Sequence, residues 1–181
     1  MRYTIVIMYY LTDPEIKKLE NTATEIRQSI IEMLIAAGSG HTAGPLDMAD
    51  IFTLLYFSVL KHDPKNPDWE DRDRLVLSAG HICPVLYATM AHAGYFDVEE
   101  LMTLRKFGSR LQGHPHRTAL PGIENSSGPL GSGLSQAAGM AIAERMNNPY
   151  TSKFIYCVTG DGELEEGQIW EAAMLAGKEQ L

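Results

Sequence analysis

The apolar run Phe154 to Val158 stops abruptly at Thr159 and hands over to Gly160-Asp161-Gly162. This handover restricts the fold more than any other stretch of the chain. Phe154, Ile155, Tyr156, Cys157 and Val158 are all apolar or aromatic and β-prone, which predicts a short parallel strand covered on both faces. The two glycines then call for a tight turn at its carboxyl end. The pattern also occurs earlier in the chain. Arg74 to Ala79 reads as a strand, ends at Gly80-His81, and leads into an apolar helical segment over about 82–93. Strands alternating with helices predict an α/β fold with a mostly parallel sheet flanked by helices. In such sheets ligands bind in the crevice beyond the carboxyl ends of the strands, where a carboxylate between two glycines reaches a metal or a phosphate-bound cation. Taken alone, Gly-Asp-Gly reads first as an ordinary turn with an exposed Asp. The remaining segments decide between the two.

Thr12-Asp13-Pro14-Glu15 has capping-box spacing with proline in the first turn. Ile16, Leu19, Ala23, Ile26, Ile30, Met33 and Ala37 follow at helical period until Gly38. Residues 39–45 form a Gly-rich loop, and 46–60, apolar nearly all round, predict one buried helix. Residues 61–73 are a polar connection carrying Pro64 and Pro67. Residues 97–107 predict a helix capped by Asp97, with Glu99 and Glu100 placed where the dipole favours them. Residues 108–127 hold two prolines and three glycines, and a loop that long inside a compact domain is functional or disordered. Its shortage of charged and aromatic residues favours a functional loop. A second Gly-rich stretch, Gly128 to Gly133, opens an Ala/Gly-rich helix over 134–146, and a last helix starts at Gln168.

With 181 residues and 45% hydrophobic content the chain can bury one substantial core, so residues 12–181 are expected to form one domain after an N-terminal extension, 1–11. Met8 lies just upstream of the first helix start, which makes Met1 to Ile7 an upstream segment outside the fold. Tyr3 to Leu11 is too short to span a bilayer and lacks the features of a signal peptide. A net charge of −8 with no Lys/Arg cluster argues against nucleic acid or an anionic membrane as the main partner. Cys83 and Cys157 suggest neither a disulfide framework nor a zinc site, and a reducing cytoplasm fits them best.

Gly128-Pro129-Leu130-Gly131-Ser132-Gly133 is not a dinucleotide fingerprint, because Gln136 stands where the third glycine is needed, and no Gly-Lys-Ser/Thr follows to make a P-loop. What remains is a loop opening a helix, whose free N–H groups can hold an anion. His41, His81 and His114 each stand beside a glycine in a loop, and the first two precede apolar segments. Rings so placed can face a cleft and carry protons. His62 and His92 lack that setting. Glu163 and Glu165 read as a solvated helix entrance.

Five motifs in order, SGHTAGPL, RDRLVLSAGH, GSRLQGHPH, GPLGSGLSQAAGMA and GDGELEEG, resemble the N-terminal, diphosphate-binding half of transketolase, a thiamine-diphosphate enzyme, from about Thr12 onward. The chain resembles the small N-terminal subunit of split transketolases, shortened at its carboxyl end, so the thiamine-diphosphate-binding fold is expected to be incomplete. The resemblance implies that Asp161 ligates Mg²⁺ bridging the cofactor diphosphate, Gly162 packs on that diphosphate, and His81 contacts its phosphates. It makes Gly128, Pro129 and Leu130 the wall against the aminopyrimidine ring. It turns His41, His114 and Arg105 toward the sugar and gives the two histidines proton-transfer roles. It sets Glu166 in a carboxylate network at a subunit interface.

The implied reaction moves a two-carbon ketol unit from a ketose phosphate to an aldose phosphate, with thiamine diphosphate and Mg²⁺ as cofactors. The implied partner is a C-terminal transketolase subunit, within a homo- or hetero-oligomer. An inactive or partner-binding fragment, or a relative with a different sugar specificity, are the alternatives. Two departures stand out. The family usually reads SGHPGGS where this chain has SGHTAGP, which predicts a reshaped loop around His41. The family's second Mg²⁺ ligand, an Asn on the next strand, and the glutamate that activates the aminopyrimidine both lie beyond this sequence, so the chain alone is expected to have an incomplete metal site.

Overall fold

The computed structural model describes residues 10–181; the upstream segment Met1 to Ile7 and most of the predicted extension lie outside them. The first long element is α1 (Asp13–Ala37), begun by Glu15, whose carboxylate accepts the Thr12 N–H at 2.8 Å and the Thr12 hydroxyl at 2.7 Å. Gly38, at φ 64°, closes it with its N–H on the Leu34 carbonyl. Ala23, Ile26, Ile30 and Met33 fall on one stripe of α1 and are buried, as the helical period requires.

The predicted helix over 46–60 is broken. It becomes α2 (Ala43–Asp47), α3 (Ala49–Leu54) and a π-helical turn over Leu55–Val59. It is also covered on one side only: Phe52 is buried, while Ile51, Leu54, Phe57 and Val59 are 38–50% exposed. The sequence shows apolar residues on every side but not which side the rest of the chain covers. The segment read as a helix over 97–107 is a 3₁₀ turn, Val98–Thr103, because Leu104 turns extended and Arg105 adopts φ 60°.

Two strands form a parallel pair, β1 (Arg74–Leu77) and β2 (Ile155–Val158), in register from Arg74↔Ile155 to Leu77↔Val158. Among the described residues β2 has no second neighbour. Its four residues are only half-buried, so the expectation of a strand covered on both faces fails for β2. β1 has the cover that β2 lacks, with three of its four residues buried. Behind β1 runs α4 (Cys83–His92), buried from Cys83 to Ala91. With α1 and α3 it encloses the core around Tyr87, Phe52, Ile30 and Met90. On the side of β2 lie α5 (Ser132–Asn147) and α6 (Gly167–Glu179), packed against each other.

Buried carboxylates pin the amino end of the sheet. Asp73 accepts the Phe154 N–H at 2.8 Å and the Lys61 N–H at 2.9 Å. Beside it, Glu124 pairs with Arg72 and, at 3.4 Å, with Arg74. A buried ion pair of this kind is costly to break, since removal of one member strands the other.

Candidate functional site

At the carboxyl end of β1, consecutive residues reach different loops. The Ser78 hydroxyl accepts the Gly133 N–H at 3.0 Å and donates to Glu163 Oε1 at 2.5 Å. Gly80 faces the loop before α5 so closely that a Cβ there would lie 2.7 Å from Ser127 Cβ and 3.0 Å from the Gly128 nitrogen. His81 meets His41 edge to face, with ring centroids 5.0 Å apart. One strand end thus gathers three stretches that lie far apart in the sequence.

His114 completes a histidine group. Its pKa is held below the ordinary value by partial burial first, then by the positive charge of Arg105 and by His81 and His41. Its ring borders Gly128. Arg105 spans the group: its Nη1 donates to Ser39 Oγ at 3.3 Å, and its guanidinium crosses Gly113, where a Cβ would come within 2.8 Å of Nε. The left-handed backbone of Arg105 costs of order 1 kcal/mol or more for a residue with a Cβ, and it carries the side chain back over this loop. The structure therefore brings His41, His81, His114, Arg105 and Gly128 together.

Asp161, Gly162 and Glu166 occupy a second, exposed cluster at the end of β2. Asp161 makes no side-chain hydrogen bond or ion pair among the described residues. A Cβ on Gly162 would meet nothing within 4 Å, which leaves open space beside that backbone. Glu166 lies against Gly131, whose φ of 87° and close approach to Gln168 suit glycine. Gln168 Nε2 in turn donates to the Leu130 carbonyl at 2.9 Å, and the Pro129 carbonyl accepts from Ser132 Oγ. Leu130 itself is 39% exposed, so its side chain is available to a ligand.

Glu163 overturns its expectation. It is 2% exposed, whereas Glu165 is solvated as predicted. Its Oε1 accepts the Gly131 N–H at 2.6 Å as well as the Ser78 hydroxyl, and its Oε2 accepts the Gly160 N–H at 2.9 Å. The two clusters are joined through this carboxylate. The one sequence signal was its position three residues after Gly160, the spacing at which a side chain folds back on a backbone amide. Ser127 was missed as well: its hydroxyl is buried and has no partner among the described residues. A buried hydroxyl left unpaired is costly, and a bound polar group would satisfy it.

Among the described residues no three His, Cys, Asp or Glu side chains gather to hold a metal. Asp161 therefore offers one carboxylate, and a cation held there would take its other oxygens from a ligand such as a diphosphate. The donor set fits a diphosphate with its cation: one free carboxylate, an open glycine backbone beside it, and an unpaired hydroxyl and a histidine group across the strand ends.

A protein-family model described as Transketolase, thiamine diphosphate binding domain, matches residues 19–181. Among curated proteins, the 6-deoxy-6-sulfo-D-fructose transketolase subunit SqwG of Clostridium sp. (strain MSTE9) is 46% identical over 164 residues, which cover 90% of this chain and 58% of that protein. The transketolase of Rhodobacter capsulatus is 45% identical, over 88% of this chain and 25% of its own length. Among solved structures, transketolase from Leishmania mexicana superposes with a TM-score of 0.82 at 39% identity, covering 88% of this chain and 25% of that one. The enzyme from Campylobacter jejuni gives 0.83 at 39% identity, over 90% and 26%. The chain thus spans more than half of the first relative and about a quarter of the others.

Proposed function

The chain belongs to the transketolase family through its thiamine diphosphate-binding domain, and from that premise we propose that it supplies the diphosphate-binding part of a ketol transferase. A C-terminal transketolase subunit or segment completes the active site. The observation that carries this reading is that the His41, His81, His114 and Arg105 group lies beyond the carboxyl end of β1 and the free Asp161 turn beyond that of β2, the strand paired with it in parallel.

In this reading Asp161 holds Mg²⁺ and Gly162 lets the diphosphate approach the backbone. His81 reaches the phosphates, and Gly128, Pro129 and Leu130 back the aminopyrimidine ring. When bound, thiamine diphosphate supplies the carbanion chemistry, and the protein binds, orients and shields it. His114, whose ring is kept neutral near pH 7 by its surroundings, can accept a proton from a sugar hydroxyl and return it. His41 stands 5.0 Å from His81, ring to ring, at the same mouth, where it serves the sugar end. Arg105 offers a fixed positive charge to an anionic substrate. Glu166, exposed beside Gly131, faces a partner subunit.

Calorimetric titration of thiamine diphosphate with Mg²⁺ into the chain, alone and mixed with a C-terminal transketolase subunit, tests this together with a ketol-transfer assay. Binding and turnover in the mixture are expected. No binding in either case overturns the reading. A second reading concerns the donor sugar: the SqwG relative carries a sulfosugar in its name. Fructose 6-phosphate and 6-deoxy-6-sulfo-D-fructose offered side by side decide which is used.

A further inference from the structure

Glu163 is buried, lies next to the proposed diphosphate cradle, and has no part in the roles assigned above. Its two oxygens are fully engaged by the chain itself. Oε1 takes the Gly131 N–H at 2.6 Å and the Ser78 hydroxyl at 2.5 Å, and Oε2 takes the Gly160 N–H at 2.9 Å. Ser78 passes the connection on, because its oxygen accepts the Gly133 N–H at 3.0 Å. A single carboxylate therefore fixes the turn before Asp161, the loop after Leu130, the first turn of α5 and the carboxyl end of β1 relative to one another. These segments carry the groups proposed for the two ends of the cofactor, Asp161 and Gly162 at the diphosphate and Gly128 to Leu130 at the ring.

We infer that Glu163 is a positioning residue that sets the distance between the diphosphate end and the ring end of the cofactor site. It also takes the N–H of Gly160, the residue before Asp161, so that this amide does not compete for the metal-facing carboxylate. Hydrogen bonds to a charged acceptor are stronger than neutral ones, so the arrangement is stiff before any ligand arrives. A preformed site binds with less ordering cost than one assembled on binding. This inference rests on the cofactor reading above.

Glu163→Gln is the direct test. The amide keeps one acceptor oxygen but turns an N–H₂ toward a backbone N–H, so one of the three ties is lost at almost unchanged volume. Three quantities are read on wild type, Glu163→Gln and Ser78→Ala. They are the Kd for thiamine diphosphate at saturating Mg²⁺ with a C-terminal transketolase subunit present, the exchange rates of the Gly131 and Gly160 amides without cofactor, and the urea midpoint. Glu163→Gln is expected to weaken cofactor binding about ten- to hundredfold and to speed exchange at one of those two amides. Ser78→Ala, which removes the Gly133 tie and one of the donors to Glu163, is expected to weaken binding about three- to tenfold and remains informative if Glu163→Gln does not fold.

A fall in the urea midpoint with Kd unchanged in either variant would make Glu163 a merely structural residue and overturn the inference. Unchanged values of all three would do the same. Wild type that binds no thiamine diphosphate overturns the functional reading, and this inference with it; wild type that binds while the variants match it overturns this inference alone.

Discussion

Asp161 and His114 show how differently two residues of one site reach their properties. Asp161 is exposed and makes no side-chain hydrogen bond among the described residues, while the N–H of Gly160 before it is taken by Glu163. Asp161→Ala should abolish the Mg²⁺ dependence of thiamine diphosphate binding while leaving the fold intact; calorimetry with and without Mg²⁺ measures it, and an unchanged Mg²⁺ response would remove the metal assignment. His114 is tuned by its neighbours. Its pKa is depressed, so it stays neutral where an ordinary histidine begins to charge. Replacing Arg105 with Gln removes one of the positive charges responsible, and the His114 titration followed by NMR should move upward. His92 is depressed by burial too, against an opposing pull from Glu25. For both residues the folded chain binds protons less readily than the unfolded one. The stability they contribute is complete above the unfolded value of about 6.5 and is lost as pH falls through the folded values. Urea midpoints at pH 7.5 and pH 5.5 should show the drop. The histidines were legible because each stands beside a glycine in a loop. Glu163 was not, since a cluster of acidic residues at a helix start is usually solvated and nothing local in the sequence says that Ser78 and Gly131 will come to meet it.

The elements divide into those whose partner is themselves and those whose partner is elsewhere. Helices α1, α5 and α6 could be read from caps, period and small-residue content, because helical hydrogen bonding is local. The segment over 43–59 could not: it breaks at Met48 and at the π-helical turn, and its α3 part packs on α1 and α4, contacts that no local pattern reveals. β2 was placed correctly in the sequence but its burial was overstated, as an apolar run tells of a preference for cover and not of its supply. α4 shows full cover. Met90, fully buried in that helix, is expected to cost about 2–5 kcal/mol when changed to Ala, as lost contacts and a cavity add together; urea unfolding measures it. At the start of α5, Gly133 admits no side chain, because a Cβ would sit 2.3 Å from that of Ser78. Gly133→Ala should therefore cost about 1–3 kcal/mol by overpacking and loosen the Ser78 bond with it, which thermal unfolding and cofactor affinity would both register.

On the scale of the whole molecule the two sides of the sheet are unequal. The core around α4 is closed, while beside β2 lies a groove lined by Ala137, Ala141, Phe154, Cys157 and Leu181. Phe154, Trp170 and Met174 are 59–68% exposed. A strand with a free edge next to exposed apolar side chains invites pairing. The chain studied alone is expected to associate as its concentration rises, seen as a growing mass in sedimentation, and Trp170→Glu is expected to reduce this; an unchanged mass would remove Trp170 from the associating face. No helix among the described residues is long and apolar enough to cross a membrane.

The parallel pairing of Arg74 with Ile155 also sets a timetable for the molecule's birth. The two residues are 81 positions apart, from 155 − 74, so at roughly 5–20 residues per second a ribosome needs about 4–16 s to deliver β2 after β1. During that interval α1, α3 and α4 can already close around Phe52 and Met90 and shelter one face of the waiting strand, but its hydrogen-bonding edge stays unpaired until β2 arrives, and the Ser78 hydroxyl proton finds its acceptor only when Glu163 emerges eight residues after Ile155. The part of the core built on α1, α3 and α4 is thus delivered first, and the cofactor cradle is tied together only once Glu163 has joined it.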